Sequence, residues 1–401
     1  MATRLLTVIL CFLAVPAWAA GPDADSYLGS GKFDEGIAAL EAHLKQQPKD
    51  DVARFGLGSL QFIGAIQRLS QKLAVYGPQT NGIRELEDVI GGAPAPAEPL
   101  TYPKLRKIAQ EWLDDLARIE ATLVKIESND VKLPLHVGRV PLNLAGGQTQ
   151  ALTLTPLLRQ FQIAANGKEA DFVIVFDRAD VDWLRGYCHL LSAVAEIGLA
   201  YDGQELFDVS AHRVFRHVKT PHEFLLEPKR GDRIGGWFGL EDIADAIAAI
   251  HMLRFPVAEP NRMPVALAHI KQALALSREM WKHVLAETDD DHEWIPGPKQ
   301  KGAININVTQ LMVDNWMLAL DEVEQILQGK KLLPFWRGKL TWGVNLRKVF
   351  LEPRPLDIVL WVQGTAATPY LEKGELTKPD TWRQINTAFG GQFMGFGFWF
   401  N

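Results

Sequence analysis

The chain has 401 residues, 47% of them apolar, and carries 42 Lys and Arg against 48 Asp and Glu, a formal net charge of −6. This weakly acidic balance argues against nucleic acid as a general partner, and the length suggests two or three structural units with ample material for a core. Cys188 is the only cysteine beyond residue 19, so no intramolecular disulfide is expected once the first residues are removed.

The chain begins with the pattern of a cleavable export signal. Arg4 gives a short positive start, residues 5–15 are apolar and uncharged, and small residues stand at Ala17 and Ala19, where signal peptidase reads. A membrane anchor is the alternative, but the run is too short, because a bilayer needs roughly 20 apolar residues. We predict a signal peptide over residues 1–19, cleavage after Ala19, and a soluble, not membrane-spanning, protein in the periplasm or outside the cell.

The segment 20–90 predicts a helical unit. Within 24–76, apolar residues recur at spacings of three and four, which indicates three consecutive helices. Several residues of this segment follow the spacing of a known helical repeat motif, which uses Gly, aromatic, large apolar and Pro residues at fixed positions. These residues are Gly31, Phe33, Gly36, Leu40, Pro48, Leu57 and Gly58. This stretch of roughly 50 residues resembles a tetratricopeptide repeat. Because such repeats commonly bind peptide segments, the resemblance implies a protein or peptide partner at the N-terminal helical unit.

A stretch rich in Pro, Ala and Gly, residues 91–103, is expected to be a linker without regular structure. Residues 104–401 are predicted to form a larger helical domain, which begins with one long helix from Leu105 to Ile126. Alternating apolar and polar residues over 131–145 predict a short β-hairpin that turns at Gly138. Residues 172–176 fit either a third strand or the start of a buried helix.

Further helices are predicted over 182–201, 240–254, 262–286 and 308–328, where apolar residues again follow a helical period. The predicted fold is therefore mainly α, with a helical-repeat-like N-terminal unit and a larger helical domain that contains a small β element.

The helix around Cys188 carries the candidate catalytic residues. It is apolar over most of its circumference, yet Arg185, His189, Ser192 and Glu196 follow at steps of four, three and four and share one narrow stripe. One hypothesis is a polar pocket in which His189 and Glu196 act as an acid/base or metal pair, with Arg185 beside them. The alternative is that the stripe faces solvent or closes a structural hydrogen-bond network.

Carboxylates near the same helix are candidate metal ligands. Asp180 and Asp182, together with His189, supply suitable ligand atoms, although helix N-capping by Asp180 is an alternative role. The acidic run 289–293 is compatible either with an oxygen-rich cation loop or with a solvated connector. The tryptophans beyond residue 200 fit core packing or, alternatively, stacking on sugar rings.

No motif for a nucleotide, a catalytic serine or a zinc protease is present, and no cofactor is expected. The sequence therefore favours a non-catalytic protein- or peptide-binding or scaffolding role in the cell envelope. The alternative is an envelope hydrolase that uses a polar pocket around His189 and Glu196.

Overall fold

The structure, a computed structural model, describes residues 21–79, 93–146, 151–153, 171–227, 240–303, 307–337 and 341–400. The predicted signal peptide, residues 1–19, and the first two residues of the predicted linker lie outside the described residues. Within the described parts, no helix is both long enough and apolar enough to cross a bilayer.

The helices are α1 (Ala24–Ser30), α2 (Phe33–Gln46), α3 (Asp51–Ala74), α4 (Tyr102–Leu123), α5 (Arg178–Ala200), α6 (Gln204–Ser210), α7 (Leu240–His251), α8 (Arg262–Ala286), α9 (Gln310–Leu327), α10 (Leu346–Leu351), α11 (Ile358–Gln363), α12 (Pro379–Ala388) and α13 (Phe393–Phe400). The strands are β1 (Leu133–Leu135), β2 (Pro141–Leu142), β3 (Leu152–Thr153), β4 (Ile174–Phe176), β5 (Arg254–Phe255), β6 (Leu333–Pro334), β7 (Trp342–Val344), β8 (Leu356–Asp357) and β9 (Leu371–Lys373). They form sheets of two or three strands, so the mainly α fold with a small β element is confirmed.

The three helices predicted over 24–76 are present as α1, α2 and α3. One face of α2 is buried, and this face carries Phe33, Gly36, Leu40 and Leu44. Helix α2 ends at Gln46, two residues before Pro48, and α3 begins where the Asp50 side chain accepts a hydrogen bond from the Ala53 backbone N–H at 2.9 Å.

Glycines allow the helices of this unit to approach closely. A Cβ atom at Gly36 would lie 2.7 Å from the Tyr27 side chain, and one at Gly58 would lie 2.8 Å from Leu123 Cγ on α4. Both positions therefore require a residue without a side chain, and Gly58 sets the distance between α3 and α4.

The N-terminal helices share one hydrophobic core with the central part of the chain. Phe55 and Leu60 of α3 belong to the same buried cluster as Leu116 of α4, Leu133 of β1 and Leu184 of α5. The segment that precedes α4 is also fixed, because Leu100 is fully buried and its backbone N–H and C=O pair with His217 and Lys219, each at 2.8 Å. Helix α4 starts at Tyr102, inside the predicted linker, where Thr101 caps it.

The predicted hairpin over 131–145 is wrong. Strand β1 pairs antiparallel with β4, while β2 pairs with β3, and residues 137–139 between them form a 3₁₀ turn. In the pair with β4, Leu133 and Leu135 are buried in the core that β1 shares with α3, α4 and α5. Residues 174–176 are thus a strand, which decides the alternative left open for 172–176.

The C-terminal part of the chain has its own aromatic core. Trp281 of α8 and Phe400 of α13 are fully buried and meet edge to face, with ring centroids 4.9 Å apart. Trp316 of α9 also contacts Phe400, at 5.6 Å. Several of the tryptophans beyond residue 200 therefore serve core packing.

Candidate functional site

The predicted polar stripe lies where α5 packs against α4 and α8, and its three candidate residues are mostly covered. Only 11%, 15% and 13% of the side-chain surface is exposed at Arg185, His189 and Glu196, respectively. Helices α5 and α8 make the most extensive contact between any two described elements. The stripe is therefore a seam between helices, and each member must find partners there.

Arg185 is held by two carboxylates. Its Nε and Nη2 donate to the two oxygens of Glu120 on α4 at 3.1 and 2.9 Å, and its Nη1 donates to Asp182 at 3.2 Å. Burial works against the charged form of Glu120, but the hydrogen bonds from His189 and Arg185 outweigh it and lower the pKa of that carboxyl. The guanidinium thus ties α5 to α4 in the bidentate geometry that Arg favours.

Asp182 is the most deeply buried acid of the seam, with 1% of its side chain exposed. Burial raises its pKa, while Arg178 at 3.2 Å, Arg185 and His283 at 3.6 Å favour its charged form. Because its oxygens face two guanidinium groups and the His283 ring, Asp182 lies at the centre of an ion-pair cluster.

His189 pairs with His269 of α8 and does not pair with Glu196. The two Nδ1 atoms are 2.8 Å apart, and the far nitrogen of His189, Nε2, lies 3.5 Å from Glu120. Since Nε2 faces a carboxylate, we assign its proton there, which leaves Nδ1 of His189 to accept from Nδ1 of His269. Burial and the neighbouring His189 lower the pKa of His269.

The geometry of the two rings is that of a direct hydrogen bond between their Nδ1 atoms. The ring centroids are 5.1 Å apart, whereas the two Nδ1 atoms are 2.8 Å apart. The difference is roughly the width of one imidazole ring, as expected when each nitrogen lies on the side of its ring that faces the other ring. The nitrogens therefore point at each other along the line joining the rings. Two imidazoles that bind one metal ion at about 2.0–2.1 Å direct their lone pairs to a third point.

Glu196 belongs to a separate set of ion pairs at the other end of α5. Its carboxylate accepts from Arg262 at 2.8 Å, and the same guanidinium donates to Gln110 of α4 at 2.8 Å and to Glu259. Glu259 also pairs with Arg106. The sequence could not distinguish this arrangement from a His189–Glu196 pair, because both residues lie on the same helix face.

Asp180 occupies a further environment. The N-cap of α5 is Asp177, whose side chain accepts from the backbone N–H groups of Ala179 and Asp180, while the Asp180 side chain accepts from the Asp177 backbone N–H at 3.0 Å. Asp180 is thus the third residue of a capping box, which corrects its expected role as the cap itself. Asp180, Asp182 and His189 are not brought together around one point.

A different group of acids meets beside that cap. Ligand atoms of Asp177, Glu287 at the end of α8 and Glu293 lie within 4.8 Å of one another. Burial, followed by the charge of Asp177, raises the pKa of Glu287 to about 8, and burial raises the pKa of Glu293 to about 7. Burial and Asp177 likewise raise the pKa of Asp180.

This acidic group borders a cavity of about 460 Å³ whose lining includes Lys132, Asp177, His283 and Glu287. Lys132 pairs with Asp289 and with Asp291 at 2.7 Å, so the outer part of the run 289–293 faces solvent while Glu293 is 3% exposed. Three carboxyl groups carry six oxygens, which is the lower limit of the six to eight that Ca²⁺ takes. Burial among other acids favours the uncharged form of Glu287 and Glu293 relative to solvent-exposed glutamates.

Cys188 offers no nucleophile to either site. The residue is 1% exposed, and burial raises the pKa of its thiol far above the ordinary range. Comparison of the sequence with protein-family models, with curated proteins and with solved structures finds no match.

Proposed function

We propose that the chain is an exported cell-envelope protein, processed after Ala19, with a non-catalytic protein- or peptide-binding or scaffolding role. The observation that carries this proposal is the engagement of the polar stripe. The side chains of Arg185, His189 and Glu196 each form hydrogen bonds or ion pairs with residues of neighbouring helices. A catalytic group would instead need polar atoms that are accessible to a substrate.

The alternative, an envelope hydrolase that uses His189 and Glu196, draws no support from this geometry. The two side chains have separate partners, and three cavities in the described parts, of about 930, 570 and 460 Å³, are lined by other residues. The hydrolase alternative would be supported if the purified protein showed hydrolytic activity and the folded His189→Ala variant lost it.

The N-terminal helical unit is the proposed binding element. Deletion of this unit is a poor test, because its helices share a core with α4 and α5 and the remaining chain would lose that core. Ala38 and Ala42 give a better probe, since they are exposed one turn apart on α2 and a photoreactive side chain there disturbs no packing.

The test places a photoreactive residue at Ala38 or Ala42 in cells that express the full chain, with Gln272 on the exposed face of α8 as the matched control. We expect an adduct of one discrete mass from the α2 positions and none from Gln272. Absence of an adduct at both α2 positions, or equal labelling from Gln272, would count against the N-terminal unit as the binding element. Recovery of intact Met1 in the cytosol would refute export.

A further inference from the structure

The β6–β7 hairpin ends in exposed aromatic residues. Trp336 follows β6 with 63% of its surface exposed, and Trp342 opens β7 with 40% exposed; they are the only tryptophans among the large apolar side chains exposed in the described residues. The Arg337 guanidinium lies 4.2 Å from the centre of the Trp336 ring. A cation over a tryptophan face stabilises both side chains at the surface.

Helix α11 lies next to this hairpin end. A Cβ at Gly364, which caps α11, would be 3.2 Å from Phe335 Cζ and 3.8 Å from Arg337 Cδ. None of the residues of α11 is buried, and Val359, Leu360 and Val362 are exposed. We call Trp336, Arg337, Trp342, Val359, Leu360 and Val362 the aromatic–basic surface.

Exposed apolar side chains are concentrated in this region. Six of the twenty large apolar side chains that are exposed in the described residues belong to residues 330–375. An isolated exposed valine or leucine needs no explanation, whereas a group with two tryptophans marks an interaction site.

The charge of the same segment is opposite to that of the chain. Residues 330–375 contain eight Lys and Arg against four Asp and Glu, a net charge of +4, while the whole chain has −6. Two of the bases are neutralised, since Lys331 pairs with Glu322 and Lys348 with Glu372. Among the described residues, no carboxylate forms an ion pair with Arg337.

We propose that the aromatic–basic surface docks onto the surface of an anionic phospholipid bilayer. Tryptophan prefers the boundary between headgroups and acyl chains, small apolar residues enter that boundary, and basic side chains are drawn to anionic headgroups. Arg337 lies on this surface without a carboxylate partner among the described residues, so the surface favours an anionic occupant, and the two exposed tryptophans favour the headgroup boundary of a bilayer. This inference does not depend on the proposed partner at the N-terminal unit.

A second apolar ridge supplies a matched control. On α7, Ile243, Ile247 and Ile250 are 50–53% exposed, and Asp245 lies beside them and pairs with Arg213. The residues that start α7 are acidic as well, with Glu241 and Asp242 in the sequence. This ridge matches the aromatic–basic surface in apolar exposure but not in charge.

The experiment measures co-sedimentation of the purified chain with vesicles of equimolar phosphatidylglycerol and phosphatidylcholine, and with phosphatidylcholine alone. We expect binding to the anionic vesicles that weakens as salt rises, with tryptophan emission shifted to shorter wavelength. Arg337→Glu changes the local charge by two, which should weaken partitioning about thirtyfold. Trp336→Ser combined with Val362→Ser should weaken it at least about tenfold.

The control pair Ile243→Ser and Ile247→Ser should leave vesicle binding unchanged. All variants replace exposed side chains, and an unchanged unfolding temperature verifies that each is folded. The proposal is overturned if the wild-type chain does not bind anionic vesicles at low salt, if it binds phosphatidylcholine equally well, or if the α7 variant loses as much binding. It is also overturned if the surface binds a single-stranded oligonucleotide and not the vesicles.

Discussion

Replacement of Arg185 by leucine tests whether the polar stripe is a structural seam. The substitution removes the guanidinium that bridges Glu120 and Asp182, two carboxylates with 19% and 1% of their side chains exposed. Breaking a buried ion pair from one side costs about 3–5 kcal/mol, because the remaining charge stays in a poorly solvated place.

The expected cost lies near the lower end of that range, because neither carboxylate becomes wholly unpartnered. Asp182 keeps Arg178 at 3.2 Å and His283 at 3.6 Å, and Glu120 keeps the Nε2 of His189 at 3.5 Å. We therefore expect Arg185→Leu to reduce the free energy of unfolding by about 3 kcal/mol, which corresponds to about 4 °C in unfolding temperature for a chain of this size.

The assay is thermal and urea unfolding of the purified protein, with Arg118→Leu as control. Arg118 is 57% exposed and pairs with Asp115 at 2.8 Å, and Asp115 keeps Arg68 at 3.1 Å, so the loss of Arg118 should cost only about 0–1 kcal/mol. The double variant Arg185→Leu with Glu120→Gln should recover part of the loss, since it removes the stranded charge. A cost of Arg185→Leu no larger than that of Arg118→Leu would refute the seam.

Two further predictions concern packing and pH. Gly58→Ala should destabilise the fold by about 1–3 kcal/mol, because its Cβ would lie 2.8 Å from Leu123 Cγ, whereas Gly198→Ala on α5 meets nothing within 4 Å and should be neutral or stabilising in the same thermal assay. Glu287 has a pKa raised from 4.5 to about 8, so the folded state holds a proton that the unfolded state releases as pH rises between these values. Stability is therefore lost as the pH rises through that window. Glu287→Gln should be no more stable than the wild type at pH 4 but more stable at pH 8, by about 1–2 kcal/mol after solvent screening. Equal stability of the two proteins at pH 8 would show that the pKa of Glu287 is not raised in the folded state.

Local patterns in the sequence were sufficient to predict most of the helices. The helix predicted over 262–286 has those bounds in the structure, and the one predicted over 308–328 ends as expected before Gly329, whose φ is 72°. These segments have an apolar period and end signals within a single stretch of chain. The β element is different, because β1 pairs with β4 about forty residues away and no local pattern specifies that pairing.

The partners of the candidate residues could not be read from the sequence for the same reason. Helices α5 and α8, with 23 and 25 residues, are each about 35–38 Å long and pack antiparallel, as the contacts at both ends show. Asp177 at the start of α5 meets Glu287 at the end of α8, while Glu196 near the end of α5 meets Arg262 at the start of α8.

Because α5 and α8 are antiparallel, the two ends of this helix pair differ in charge balance. At the end with Arg262, acids and bases from three helices neutralise one another, so the stripe closes into a seam. At the other end Glu287 sits at the C-terminus of α8, where the helix dipole disfavours a negative charge, and it faces the equally acidic Asp177. We therefore expect the pH dependence of stability to arise at this acidic end of the helix pair, whereas the sequence pattern had favoured the middle of α5.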